Sequence, residues 1–513
     1  MGLLGALLTG CGSGAMGWGS DPPHMVVGMS DDVLATDPAS GYDPGSWLLF
    51  DNVFQSLLSF PDGGTVPQPE AAEKCAFKDS HARAYQCVLR DGLKFSNGDR
   101  LTSEDVRFSF ERVLRIDDAA GPAVLFQSLD TIETPDDKTV VFRLKTSDAT
   151  FPSKIASGAG SIVDHREYST HALRTDGRVV GSGPYELTSF GKDKAVFSVN
   201  RNYRGTAKIK NTGVTLKLFH GDRDALRKAV TEGSVDVAYR GLSTRDIADI
   251  DQHGDSGGVE VVEGSSAEVQ HLVFNMADPV AGRLGVRKAI AHLIDREALV
   301  TEVYQDTAIP LYSIIPAGIT GHDSSFFDIY GAAPSKAEAT AALRAEGITD
   351  RVRLTLWSTP TRYGPATDEE LKVIADQLNS SGLFEADVRS VPIGQYEKEI
   401  AAGRYGVYVK GWVPDYPDPD NFTAPFFGKG NVLDNSYSNR TITNTLIPSA
   451  AARSDRDATT EEYGRLQDIV ARQIPVLPVW QGKQYAVVRD DVVGMEYCLD
   501  PSTVFRFWEL GKS

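Results

Sequence analysis

Apolar and polar residues alternate in "HMVVGM" (24–29), "KTVVFRLK" (138–145), "AVFSVNRNY" (195–203), "RVRLTLW" (351–357) and "YGVYVKGW" (405–412). That period of two predicts strands. Between them the period lengthens. "LTSEDVRFSFERVL" (101–114) carries Val106, Phe110, Val113 and Leu114 on one helical face, with a capping box formed by Thr102 and Asp105. "GVRKAIAHLIDREALVTEVY" (285–304) places Val286, Ile290, Leu293 and Ile294 on one stripe. "TDEELKVIADQLNSSGL" (367–383) has a box at Thr367 and Glu370, a stripe of Leu371, Ile374, Ala375 and Leu378, and Gly382 as a stop. Strands alternating with helices predict an α/β fold.

The last strand runs into "GWVPDYPDPDNF" (411–422), which holds Asp415, Asp418 and Asp420 among three prolines. Proline fixes φ and lacks an N–H, so this loop is stiff and cannot fold around its own charges. It stands at a strand's carboxyl end, where open α/β sheets bind ligands. Asp420 is expected to cap the turn before Asn421 and Phe422.

Composition narrows the field. At 513 residues the chain exceeds a single core and predicts two or three domains. Its net charge of -18 argues against nucleic acid as a partner. The start, "MGLLGALLTGCGSGAMGWGSDPPH", resembles a bacterial lipobox ending at Cys11, followed by a Gly/Ser-rich tether. Cys11 would take the lipid and become the first mature residue, although no basic residue precedes the apolar run. No stretch reaches the ~18 apolar residues of a membrane span. Cys75 and Cys87 flank a polar segment that a hairpin could close, so an extracytoplasmic disulfide is expected there, and Cys498 is expected to be a buried thiol.

Catalytic motifs are weak. "HGDSGG" (253–258) matches nucleophile loops around Ser256, but His253 has no supporting frame, and the surroundings read as a surface turn. P-loop and HExxH patterns are absent, and the histidines are scattered, so no metal site or cofactor is expected.

Four segments in one order, "LRDGLKFSNGDRLTSEDVRFSFERVL", "VVGSGPYELTSFGKDKAVFSVNRNY", "HLVFNMADPVAGRLGVRKAIAHLIDREAL" and "GWVPDYPDPDNF", resemble extracytoplasmic solute-binding proteins of the peptide/nickel (family 5) class of ABC importers. The resemblance spans roughly residues 25 to 510. It implies a non-enzymatic, two-lobed periplasmic-binding-protein fold of type II. Lobe one would cover 25–274, with an extra subdomain at about 61–180; lobe two would cover 275–482, and 483–513 would return to lobe one after a tether at 1–24. It also implies a short peptide as ligand, permease subunits as partners, a monomeric state, and a place outside the cell membrane. Asp415 matches the family aspartate that meets a ligand ammonium, with Trp412 beside it. Arg362 is the match for a carboxylate-binding arginine, and Ser30, Asp31 and Asn275 fall near the cleft on the family pattern. "GSGPY" (181–185) reads as a structural turn at the rim. The strand before Gly411 and Trp412 offers only Lys410 in place of the arginines of longer-peptide binders. A nickel complex, an oligosaccharide or a signalling peptide therefore stays open as ligand, with a Ser256 hydrolase as the remote alternative.

Overall fold

The computed structural model describes residues 23–253, 257–360, 362–364 and 366–513. Its spine is a mixed eleven-stranded sheet. The order across it is Phe384–Ser390, Val352–Ser358, Val407–Trp412, Val259–Phe274, Val476–Arg489, Val237–Tyr239, His24–Met29, Gly213–Leu218, Lys194–Val199, Tyr185–Phe190, with Ala308–Pro310 added onto Val476–Arg489. The first strand shows why alternation is a sound guide: Met25, Val27 and Met29 are wholly buried, and the strand pairs in parallel with Gly213–Leu218 and Val237–Tyr239.

Two long strands cross the molecule side by side. Val259–Ser265 pairs with Arg489–Lys483 on one side and Val269–Val273 pairs with Gln481–Val476 on the other, with a register shift between Ser265 and Val269. A bulge bends a strand and raises its local twist. Here it falls where the apolar interior divides. One core gathers residues between Met25 and Tyr239 with a C-terminal set ending at Leu510; the other runs from Ala267 to Trp480. The second core thus begins ahead of the boundary expected at 275, because the long strand changes lobe at its bulge and not at its end. A four-stranded antiparallel sheet, Ala72–Phe77, Ala84–Leu89, Thr139–Leu144 and Leu129–Glu133, stands apart from the spine within the expected subdomain. Cys75 faces Cys87 across its first strand pair, and the two form a disulfide. Cys498 is free and buried.

The helices follow their sequence signals with two exceptions. Ser103–Ile116 begins with the Thr102–Asp105 box, buries Val106, Phe110 and Val113, and ends at Asp117 in the left-handed region. The 285–304 stripe, expected as one helix, is two: Leu284–Ala291 ends at His292, and Asp295 starts Arg296–Tyr304 by accepting from the Ala298 N–H at 3.0 Å. A good N-cap in mid-stripe outweighs apolar continuity. Helix Thr367–Ser380 stops before Gly382, at φ +74°, but the expected Thr367 box is absent. Glu370 is instead buried and accepts from Gln270 Nε2 (2.6 Å), Tyr304 (2.5 Å) and Trp480 Nε1 (3.2 Å). Gln270 and Trp480 belong to the two crossing strands, so the carboxyl group ties a lobe-two helix to the crossover.

Candidate functional site: a cleft between two lobes

The 411–422 loop leaves Val407–Trp412 at the sheet's dividing line and meets both lobes. Asn421 folds it back: its Oδ1 accepts from Trp412 Nε1 (2.8 Å) and from the Asp415 N–H (3.1 Å), and its Nδ2 donates to Asp415 Oδ2 (3.1 Å). The indole also meets Phe426 edge-on at 5.1 Å. Asp415 Oδ1 accepts from the Tyr42 hydroxyl at 2.6 Å. Tyr42 belongs to lobe one, where it precedes helix Pro44–Val53, whose Asp43 cap accepts from the Ser46 N–H at 2.9 Å. One carboxylate therefore joins the lobes. Burial pushes its pKa up, against the Tyr42 and Asn421 hydrogen bonds and the Lys154 charge, which pull it down. A carboxylate offers about four lone-pair sites, and two are taken. The other two have no partner among the described residues.

Next along the loop, Tyr416 enters the other lobe. Only 4% exposed, it packs in the first core, near Thr150, with the Lys154 ammonium 6.0 Å from its ring centre. A backbone hydrogen bond from Ala149 N to Ala451 O, 2.8 Å, adds another tie between the lobes. The remaining acids differ from expectation. Asp418, not Asp420, caps the turn, accepting from the Asp420 N–H at 2.8 Å, and it also pairs with Arg456 at 2.7 Å. Asp420, beside it, has its pKa raised to about 6 by burial, although Lys154 and Arg456 oppose the shift.

A cavity of about 270 Å³ opens beside this loop, at the crossover. Asp31 and Arg240 line it from lobe one, Glu268 and Lys483 from the crossing strands, and Val413 from the loop. Arg240 Nε donates to Asp31 Oδ2 at 2.6 Å, so Asp31 enters the cleft already paired. Ser30 is buried beneath it, donating through N (3.1 Å) and Oγ (3.3 Å) to the Arg240 carbonyl. Arg240 itself lies at φ +54°.

The other sequence-predicted residues fall in different places. Arg362 is exposed on the turn after Val352–Ser358. Its neighbour Tyr363 lies against Gly411, with Cδ1 3.0 Å from where a Cβ would stand, so that turn shares the loop's end of the sheet. Asn275 is not brought to the cleft. It follows the strand end whose Phe274 pairs with Val407, while Trp412 pairs with Val269 at the other end. Its buried amide donates to Gly403 O (3.1 Å) and accepts from the Ala277 N–H (3.0 Å), which is a turn-holding role inside lobe two. In "GSGPY", a side chain at Gly181 would stand 2.0 Å from Val53 O, so the glycine is there for close packing on helix Pro44–Val53. Cys11 and Ser256 lie outside the described residues. Tyr42, Asn421, Arg240 and Glu268 do not stand out in the sequence as site residues. Only Asn421 carries a signal, as the amide inside the quoted loop.

No metal centre emerges from the described residues. Asp105, Asp164 and His165 cluster, but Asp105 accepts from Thr102 N and bonds His165 Nδ1, while Asp164 accepts from Arg166 and Asn97. Their oxygens are occupied in capping and ion pairing. No described helix is long and apolar enough to cross a membrane.

Two lobes, two adjacent crossing strands and a carboxylate held between the lobes define a binding protein that encloses its ligand in a cleft. The comparisons with known proteins agree with that class. The model of the bacterial extracellular solute-binding proteins, family 5 (middle region), matches residues 66–434, and the chain belongs to this family. The members are non-enzymatic receptors, which removes the hydrolase alternative. Di/tripeptide-binding protein 1 of Pseudomonas aeruginosa is 24% identical over 92% of each chain. Among solved structures, HbpA2 of Haemophilus parasuis superimposes with a TM-score of 0.82 at 20% identity, covering 96% of this chain and 100% of that one. DppA of Helicobacter pylori, in complex with the peptide STSA, superimposes at 0.76 and 20%, covering 95% and 98%.

Proposed function

We propose that this protein captures a short peptide between its lobes and delivers it to the permease of an ABC importer, while a lipid on Cys11 holds it at the outer face of the cell membrane. The observation that carries the reading is Asp415: a largely desolvated carboxylate, fixed by Tyr42 from one lobe and Asn421 from the other, with lone pairs to spare. A buried anion of this kind favours a cation that brings hydrogen-bond donors, and the α-ammonium of a peptide brings three. Arg362, on the turn at the same end of the sheet, is the group for the peptide's carboxylate, and Trp412 walls the ammonium side. Relatives named for dipeptide and tripeptide binding support the ligand class. A ligand favours the closed form further because only there does it touch both lobes.

Native mass spectrometry of protein purified from its own organism tests the ligand, which should be retained as a peptide of two to a few residues. A retained metal chelate or sugar would overturn the peptide reading and leave the receptor reading standing. Palmitate labelling that disappears in Cys11→Ala tests the anchor, and unlabelled protein would remove it.

A further inference from the structure

The charges around the 270 Å³ cavity balance in number but are not all paired within it. Four charged side chains line it: Asp31, Arg240, Glu268 and Lys483. Arg240 is hydrogen-bonded to Asp31 at 2.6 Å, and Lys483 is paired with Glu263 at 3.0 Å. Lys483 is thus turned to an acid outside the lining, while Arg240 holds Asp31 through Nε alone and faces Glu268 only through space. Glu268 is left with a half-buried carboxylate that has no hydrogen-bond partner among the described residues. Its backbone N–H is held by Ser266 Oγ at 3.0 Å, and its side chain lies over Gly482 on the adjacent strand, with Oε2 3.5 Å from where a Cβ would stand. Both features fix the direction of the side chain. Burial raises its pKa, and Arg240 attracts it only through space. Such a group is costly unless something in the site answers it.

The rest of the cavity suits the stem of a long side chain. Leu242, Ile247 and Val413 give it apolar wall, and Tyr239 and Tyr485 give it ring faces. At about 270 Å³ it has ample room for one long side chain. Its place along the strands matters too. Trp412 pairs with Val269, so Val413 and Glu268 follow one step beyond that pair, and both line the cavity. Asp415 is two residues past Val413, which puts its Cα no more than about 13 Å from that of Glu268. A peptide with its ammonium on Asp415 can reach Glu268 with a long side chain from its first or second residue.

We propose that Glu268 is a specificity residue that selects peptides with a lysine or arginine at position one or two, received in this cavity. The inference rests on the peptide reading above. An apolar side chain would fill the walls but leave Glu268 without a hydrogen-bond donor, and an acidic one would meet it as a like charge.

Calorimetry of Ala-Lys, Lys-Ala, Ala-norleucine, norleucine-Ala and Ala-Glu tests it, since norleucine keeps lysine's carbon chain without its charge. Wild-type protein should bind at least one lysine peptide about tenfold or more tighter than its norleucine counterpart, and Ala-Glu weakest. Glu268→Gln, which keeps the shape, should bring the lysine-to-norleucine ratio to within about twofold. Circular dichroism and the melting temperature establish that the variant is folded, and Glu268→Asp, which keeps the charge, should retain part of the preference. Equal binding of lysine and norleucine peptides by the wild type, or a preference that survives Glu268→Gln, overturns the proposal while leaving the peptide reading intact. If none of the peptides binds, the peptide reading fails and takes this inference with it.

Discussion

Replacing Asp415 by asparagine separates the ligand role of this carboxylate from its role in the fold. In the native protein it accepts two hydrogen bonds, from Tyr42 at 2.6 Å and from Asn421 at 3.1 Å. An asparagine can keep both. Its oxygen accepts from Asn421, and its amide donates to the Tyr42 hydroxyl, which turns and accepts because a phenol can do either. The variant exchanges two charge-assisted bonds for neutral ones, a cost of about 1 to 2 kcal/mol. It also escapes the desolvation that raises the pKa of the native carboxyl. Unliganded stability should therefore change by no more than about 1 kcal/mol.

Binding should behave differently. With the carboxylate gone, the ligand ammonium is buried without its counter-charge, a loss of about 2 to 5 kcal/mol. In affinity that is roughly thirtyfold to several thousandfold. Calorimetry measures it directly. A thermal-shift screen reports it too, because a ligand at ~100 times its dissociation constant stabilises by about 2.7 kcal/mol. At ~2.1 cal/mol/K per residue, that raises the melting point of a cooperatively melting chain of this size by about 2 to 3 °C. Free-amine dipeptides should shift the wild type, N-acetylated ones should not, and Asp415→Asn should lose the shifts. Equal shifts from acetylated peptides, or an Asp415→Asn affinity within threefold of wild type, would refute the ammonium role.

Three further outcomes test the surroundings. Asp420 has a folded pKa of about 6 against an ordinary 3.8, so its contribution to stability is complete below that lower value and is lost as pH rises through about 6. A rise of that size is worth about 3 kcal/mol at most, so Asp420→Asn should raise the melting point at pH 8 and hardly move it at pH 4. An equal effect at both values would mean that burial of the charge is not the cause. Reduction of Cys75–Cys87 should cost about 3 kcal/mol through the denatured chain and be seen as easier unfolding in urea. Cys498, wholly buried with its thiol pushed up to about 12, should resist alkylation until the protein unfolds, and labelling under native conditions would contradict its packing.

How far the sequence can be read depends on how local each cause is. Strand His24–Met29 and helix Ser103–Ile116 carry their instructions within a few residues, as alternation and as a capping box, and both are legible. Glu370 looks like part of a box because the spacing is right. Its partners, Gln270 and Trp480, are 100 and 110 residues away, and their pull on a buried carboxyl outweighs a cap. Asp418 and Asp420 are easily confused because both are two-residue Asx candidates, and only the position of Arg456 decides between them. At the site, the resemblance singles out Asp415 and Trp412, which the structure joins through Asn421. Tyr42, 373 residues from Asp415, cannot be found by any pattern along the chain. Asn275 is misplaced by following a family motif to the wrong end of a strand.

The buried ring of Tyr416 bears on how quickly this protein would acquire a ligand. If the lobes part with the loop staying on lobe two, that ring leaves the first core for water. Exposing a side chain of this kind costs about 1.5 to 3 kcal/mol, so the form that admits a ligand is held to roughly a tenth to under a hundredth of the molecules. Observed affinity is reduced by that fraction. The encounter slows as well, because an arriving solute meets a shut entrance most of the time, and association falls below the ~10⁵–10⁷ M⁻¹s⁻¹ of an open site. The same ring delays escape. On that account the protein trades speed of loading for a long hold on what it has loaded.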